Sequence, residues 1–398
     1  MQFKEKLKDF FALKRNIVVF IIANIFWATI ILYKNFLPKF YESLGADIFI
    51  VGVLFSLSDL FYGLASFIGG HLGDAYGRKH IFIRAAFLGC LFHLGYYFAP
   101  NWLFLLPFLV LRNFTLGIED APAQTLISES LPKKQRATGL GSIYLAATIA
   151  AIILAPLGAL LVQNYGTLEG VRLGILISFV FCIFGSVIFL FYGKETLKRK
   201  VNKKMKFNFN ISNAIDFLKK LPSPVKAMLV FISLLYFSSA LILPYWIFYA
   251  LDIIKIDSLQ FGLLTGFQAA LVAVFMFLGA KLSDKHGRKK ILLVSCIISL
   301  AALIMFVFSR NFTDLLVVYA LGGISTIGSA TIFPYITENT DPKIRSKSIG
   351  MLNGFMTLAS IPAPFVGSLF YTIAPQYPFI FSSLLLIITF IVGMKFLK

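Results

Sequence analysis

The sequence predicts an all-α membrane protein whose twelve spanning helices fall into two halves of six. Three observations predict it: apolar runs of bilayer length, a one-sided distribution of basic residues, and two phrases that each occur twice at nearly one offset. Of the 398 residues, 58% are hydrophobic and 14% charged, whereas soluble domains carry about 25% charged residues. The apolar residues come in runs of about 20, enough to cross a hydrocarbon core about 30 Å thick. Alternation at period 2, the mark of an outer-membrane barrel, is absent. The spans are therefore helices, because lipid leaves each one to satisfy its own backbone groups.

In chain order, the spans are predicted at 16–36, 49–70, 81–99, 102–126, 138–162 and 171–192, then at 226–249, 259–281, 290–309, 313–334, 346–371 and 376–396. The first, containing "NIVVFIIANIFWATIILY", follows a basic segment and is too long for a signal-peptide core. With no small-residue cleavage pattern, it is expected to be retained. Residues 1–192 and 226–398 are the expected domains, joined by a basic linker at 193–225. Within the linker "NAIDFLKKL" reads either as an amphipathic helix on the inner leaflet or as a solvated connector. A Pro-Ser-Pro turn opens the seventh span.

The charges set an orientation. Of the 37 Lys and Arg, 31 fall in the two tails and the even-numbered loops; five (Lys34, Lys39, Arg172, Lys255, Arg310) fall in or beside odd-numbered loops, and Arg112 lies mid-span. The positive-inside rule then predicts cytoplasmic termini and a plasma-membrane protein. The net charge of +19 reads as topology and attraction to anionic lipid. Dispersal of the basic residues over loops argues against nucleic acid as a partner. Cys90, Cys182 and Cys296 each stand alone in a span, predicting buried apolar thiols and neither a disulfide framework nor a metal site.

The duplication is direct. "GGHLGDAYGRKHI" at 69–81 returns as "GAKLSDKHGRKKI" at 279–291, identical at seven of thirteen places. "SESLPKKQRATGLG" at 128–141 returns as "TENTDPKIRSKSIG" at 337–350. Six spans per half make the repeats parallel. The glycines at 69 and 70 are expected where helices approach closely, and Gly77 where the chain reverses.

With Gly70, Leu72, Asp74, Gly77, Arg78 and Lys79 filling every place of G-x-L-x-D-x-x-G-R-K, the chain resembles a major facilitator superfamily (MFS) transporter over essentially its full length. The second copy keeps the motif apart from Ala280. The resemblance implies the MFS fold and a cytoplasmic gate. In it, Asp74 reaches the cytoplasmic start of helix 11 and Arg78 pairs with Glu129. By symmetry Asp284 faces helix 5 and Arg288 pairs with Glu338. Lys79, Arg136, Gly287, Lys289 and Arg345 complete the two gate phrases.

Asp59 in the second span, and Arg112, Glu119 and Asp120 in the fourth, are ionisable residues no loop accounts for. Such groups are costly in a membrane and mark function. Counting back from Asp74 and Glu129 puts Asp59 and Arg112 at similar depth, an expected ion pair. Glu119, two turns from Arg112, is the expected principal protonation site, with Arg112 tuning it and Asp120 turned toward a helix interface. "LVLRNFTLGIEDAP" also resembles, imperfectly, the superfamily's helix-4 motif associated with proton coupling, and "LAPLGALL" is a degenerate echo of its antiporter motif.

In this fold, helices 1, 4, 7 and 10 line the central cavity. Asn24, Trp27, Tyr236, Trp246 and Tyr319, with Gln268 and Asn353 on flanking helices, are the resulting candidates. They describe an aromatic cavity poor in amides, better suited to an amphipathic or cationic organic solute than to a sugar. The expected protein is a monomeric secondary transporter using a small-molecule substrate, protons and lipid, with no cofactor. An uncoupled facilitator, a carrier for organic anions and a non-transporting receptor remain alternatives. An enzyme is disfavoured, because no nucleophile–base pair, metal cluster or nucleotide loop can be assembled.

Overall fold

A computed structural model describes residues 2–131, 136–197, 211–341 and 344–397. Side chains are described over the same ranges except 2–14, 136–142, 144, 211–214 and 346. Among the described residues there are helices and turns and no strand.

The chain forms two compact units. The first contains 1–45 and 57–207, the second 46–56 and 208–398. In chain order, α1 runs from Gln2–Trp27 through a 3-10 turn at Ala28–Ile30 into Ile31–Lys34. It is followed by α2 (Ile48–Tyr76), α3 (Arg78–Phe98) and α4 (Trp102–Glu129). A single helical stretch, Arg136–Tyr192, breaks at Gly166, where φ is 78°. That break makes α5 (136–165) and α6 (167–192), so the eleven continuous apolar helices among the described residues supply the twelve expected spans. The later helices are α7 (Ser223–Ile242), α8 (Ser258–His286), α9 (Arg288–Phe308), α10 (Phe312–Glu338), α11 (Lys347–Ile373) and α12 (Tyr377–Phe396). In the linker, Ile211–Lys220 is helical. Its Phe217 and Leu218 pack against the core of the second unit, and the Lys347 ammonium sits 4.1 Å over the Phe217 ring.

Each unit has its own core. In the first, Phe20 of α1, Phe82 of α3 and Phe189 of α6 meet with ring centroids 4.4–5.6 Å apart. In the second, Trp246, Phe306 and Phe379 pack at 4.1–5.6 Å. Lipid offers no hydrophobic drive between helices, so this close packing is what holds them.

The repeat extends beyond the two phrases, to positions that start and join helices. Asp47 accepts the amide of Ile50 as α2 begins (2.7 Å), and Asp257, 210 residues later, accepts that of Gln260 as α8 begins (2.7 Å). Asn101 accepts the Phe104 amide at the start of α4, and Asn311 accepts the Asp314 amide at the start of α10, each at 2.9 Å. Each cap satisfies an amide that a helix leaves unpaired at its first turn. Gly69 presses α2 on the backbone of Ile118 in α4. Gly279 presses α8 on the backbone of Ile327 in α10, and neither has room for a Cβ.

One expectation is corrected by this packing. Gly70 is not a close-approach position, because a Cβ there would meet only the Cβ of Ala121, at an ordinary 3.7 Å. The second copy carries an alanine, Ala280, at the corresponding place. Gly70→Ala should therefore leave the melting temperature of the detergent-solubilised protein unchanged, within about 0.5 kcal/mol of stability. Gly69→Ala should lower it by the equivalent of about 1–3 kcal/mol, the cost of overpacking a filled contact.

Candidate functional site

Two regions hold the predicted functional residues. The first is the pair of helix junctions carrying the repeated phrase. Gly77, at φ 100°, is the single residue between α2 and α3; Gly287, at φ 91°, is the single residue between α8 and α9. Both take a backbone conformation that side chains penalise, so the next residue is the first of a new helix. That residue is an arginine in both copies.

Arg78 pairs with Glu129 at the end of α4 and with Asp74 one turn back (3.1 Å). Arg288 pairs with Glu338 (2.9 Å) and Asp284 (2.5 Å), and it also donates to Ser283. The acidic partners are 37–67% exposed. Pairs this wet contribute about 0–1 kcal/mol each and are easily exchanged. Lys79 donates to the Leu190 carbonyl at the end of α6 (2.7 Å), and Lys289 to those of Met394 and Leu397 at the end of α12 (2.9 and 2.7 Å). A cation there meets the negative end of the helix dipole. The side chain of Arg136 lies outside the described residues. The Nε of Arg345 is buried and has no hydrogen-bond partner among them.

One residue at the first junction escaped the sequence reading. Glu195, just past α6, accepts the amides of Arg78 (3.2 Å) and Lys79 (3.0 Å). It also accepts those of Thr196 and Leu197. Gly77, as the residue before α3, has no side chain with which to cap it. Glu195 supplies the cap from 116 residues away in sequence, so a signal was present only as an acid in a basic linker.

The second region is a cavity of about 390 Å³ inside the first unit, walled by α1, α3, α4, α5 and α6. Arg112 and Glu119 of α4 reach into it and pair at 3.4 Å, with 12% and 14% of their side chains exposed. Gly89 of α3 makes room for both: a Cβ there would lie 2.8 Å from the Glu119 carboxylate and 3.1 Å from the Arg112 guanidinium.

Arg112 also donates through Nε to His93 Nε2 of α3 (3.1 Å). An imidazole nitrogen that accepts leaves the ring proton on Nδ1. That atom is buried and unpartnered among the described residues. His93 and Glu119 thus both hold the arginine. Arg112 points toward the recess in α3, and Gly117 sets another side of α4 against the backbone of α2 at Tyr62 and Ser66. Asp59 is itself engaged in an interaction. Asp120 also lines the cavity and accepts the Tyr62 hydroxyl of α2 at 2.7 Å.

Asn24 and Trp27 line the cavity as well, donating to the Ile143 carbonyl (3.0 Å) and the Ser186 hydroxyl (3.3 Å). In the second unit, Trp246 and Tyr319 pack on each other at 5.9 Å within the aromatic core. Gln268 packs against Gly322 of α10, and Tyr236 and Asn353 are exposed.

The Glu195 cap yields a measurable asymmetry. Glu195→Ala should cost about 1 kcal/mol, the usual value of a lost cap. It should speed hydrogen exchange at the amides of Arg78 and Lys79 while leaving those of Arg288 and Lys289 unchanged.

The comparisons agree with this architecture. The family model described as Major Facilitator Superfamily matches residues 17–253 and 228–398. An uncharacterised MFS-type transporter of Methanocaldococcus jannaschii is 24% identical over 367 residues, covering 89% of this chain and 87% of its own. Multidrug resistance protein MdtG of Salmonella arizonae is 26% identical over 357 residues, covering 85% and 83%. Among solved structures, a bacterial homologue of the human lysosomal transporter Spinster, inward-facing and occupied, superposes with a TM-score of 0.75 at 14% identity, covering 96% of both chains. The nucleoside transporter NupG gives 0.74 at 12% identity, covering 97% of this chain and all of its own. The chain belongs to the major facilitator superfamily and is a multi-pass membrane transporter.

Proposed function

We propose that this transporter couples proton movement to export of an amphipathic or cationic organic solute across the plasma membrane, by alternating access. The observation that carries this reading is the Arg112–Glu119 pair, buried to 12% and 14% exposure in the cavity of the first unit. The protein acts as a monomer with cytoplasmic termini and needs no cofactor.

Ionised Glu119 is held by Arg112, because separating two charges in a dry site costs several kcal/mol. A proton on Glu119 discharges that attraction. A cationic solute entering the cavity competes with the proton for the same carboxylate. Proton and solute thus exclude one another, which is the thermodynamic requirement for exchange, since binding couplings are reciprocal. Apolar walls such as Phe20, Trp27 and Phe82 suit an amphipathic body, and the multidrug resistance name of the MdtG relatives points to the same cargo class. Asp120 has a structural partner in Tyr62, so its assigned part in proton coupling is secondary.

The two arginine–carboxylate clusters, Asp74–Arg78–Glu129 and Asp284–Arg288–Glu338, are proposed as latches of the cytoplasmic gate. Their exposure supports the role, since each bond is cheap to break and remake.

Transport in proteoliposomes tests the coupling. Glu119→Gln should lose accumulation driven by a proton gradient while retaining downhill exchange. Asp59→Asn should mainly lower stability. Gradient-driven transport by Glu119→Gln at the wild-type level, with loss in Asp120→Asn, would reassign the site.

A further inference from the structure

The buried ion pair of the cavity is looser than an exposed one at the helix junctions. Arg112 reaches Glu119 through one nitrogen, at 3.4 Å, whereas Arg288 reaches Glu338 through two, at 3.1 and 2.9 Å. An unopposed bond between guanidinium and carboxylate closes to about 2.7–2.9 Å, and exclusion of water strengthens it. The shorter contact of Arg112 goes instead to an uncharged group, from Nε to His93 Nε2 at 3.1 Å. His93 is packed too tightly to follow the arginine inward. It is 3% exposed, and its ring lies edge-on to Tyr33 of α1 and Tyr96 of α3, with centroids 5.9 and 6.3 Å away. His93 stands one turn from Gly89 on α3, so the acceptor and the recess share one face of that helix.

Building on the reading of Glu119 as the exchanging carboxylate, we propose that His93 is a positioning residue for that exchange. By accepting from Nε it holds the Arg112 guanidinium off Glu119, so that a proton or a cationic solute can displace the arginine. The guanidinium is planar and its three nitrogens turn together. With Nε anchored at His93, one Nη is left to span the gap. Freed of that anchor, the fork would close on the carboxylate and hold Glu119 ionised. The anchor works only while the imidazole is uncharged, since a doubly protonated ring has no acceptor. Among the described residues of the cavity wall, Arg112 alone carries a fixed positive charge, so its distance dominates the charge state of Glu119. The other titratable groups on the wall are Asp120 of α4, Cys90 of α3 and Cys182 of α6. Asp120 accepts from Tyr62 of α2. Lys34, exposed further along α1, acts on Asp120 and Arg112. The wall residues from α5, Ile143 and Ala147, do not titrate.

A pH titration of the purified full-length protein by infrared difference spectroscopy tests this role. The observable is the carbonyl stretch of protonated Glu119, identified as the component that Glu119→Gln lacks. His93→Leu removes the acceptor and lets the cation approach, which favours the charged carboxylate. The midpoint of the band should therefore move to lower pH. The expected loss of proton affinity is about tenfold or more, the effect of one added hydrogen bond to a charged group. His93→Gln, whose amide oxygen can accept from Nε, should restore the wild-type midpoint. If the leucine variant does not fold, His93→Phe, which keeps a ring between the two tyrosines, takes its place. A purely structural His93 would lower the melting temperature of His93→Leu without moving the midpoint. That result, a shift to higher pH, or an equal shift in His93→Gln would overturn the proposal while leaving Glu119 as the exchanging group. Absence of any Glu119-dependent band from the wild-type titration would overturn the reading of Glu119 itself, and the role of His93 with it.

Discussion

The first unit is organised around burial of one guanidinium. An arginine in a membrane-spanning helix is tolerable only with its charge and its donors satisfied. Arg112 meets that demand with Glu119 on its own helix and His93 on the next. Gly89 must lack a side chain because the pair occupies the space a Cβ would take. His93 must accept through Nε2, which fixes its tautomer. The cavity of about 390 Å³ is the volume left around this arrangement. Its chemistry is correspondingly narrow: one guanidinium and two acids inside an aromatic and aliphatic wall that also holds two buried thiols.

The junctions between helices show a second constraint, repeated in each unit. A positive-φ glycine turns the chain in a single residue, and an arginine immediately begins the next helix. The arginine can then reach the acid one turn back and the acid at the end of the fourth helix of its unit at once. Spacing alone produces the three-way cluster, which is why both copies retain the same residues. Glu195 breaks the symmetry by fastening the start of the linker to the first junction.

Fold class and helix order were legible because lipid imposes run length and charge asymmetry on the sequence itself. The Arg78–Glu129 and Arg288–Glu338 pairs were anticipated through the resemblance of the repeated phrases to the superfamily signature, whereas the bonds of each arginine to the aspartate one turn back were not. What sequence could not resolve was azimuth. Depth could be counted from the loops, but not that the side chain of Arg112 turns toward α3, where Gly89 leaves a recess and His93 offers an acceptor. Of two adjacent glycines, Gly69 alone touches a neighbouring backbone, a distinction of one rotational step. Glu195 was missed because a cap supplied from another helix carries no local pattern.

The most direct measurement of the central claim is infrared difference spectroscopy of the purified protein with and without a cationic amphipathic ligand. If Glu119 exchanges a proton for the solute, ligand addition should remove the carbonyl stretch of a protonated carboxylic acid. The change should vanish in Glu119→Gln and persist in Glu129→Gln. An unchanged difference band in Glu119→Gln, or a ligand that binds the wild type without altering any carboxyl band, would contradict the account.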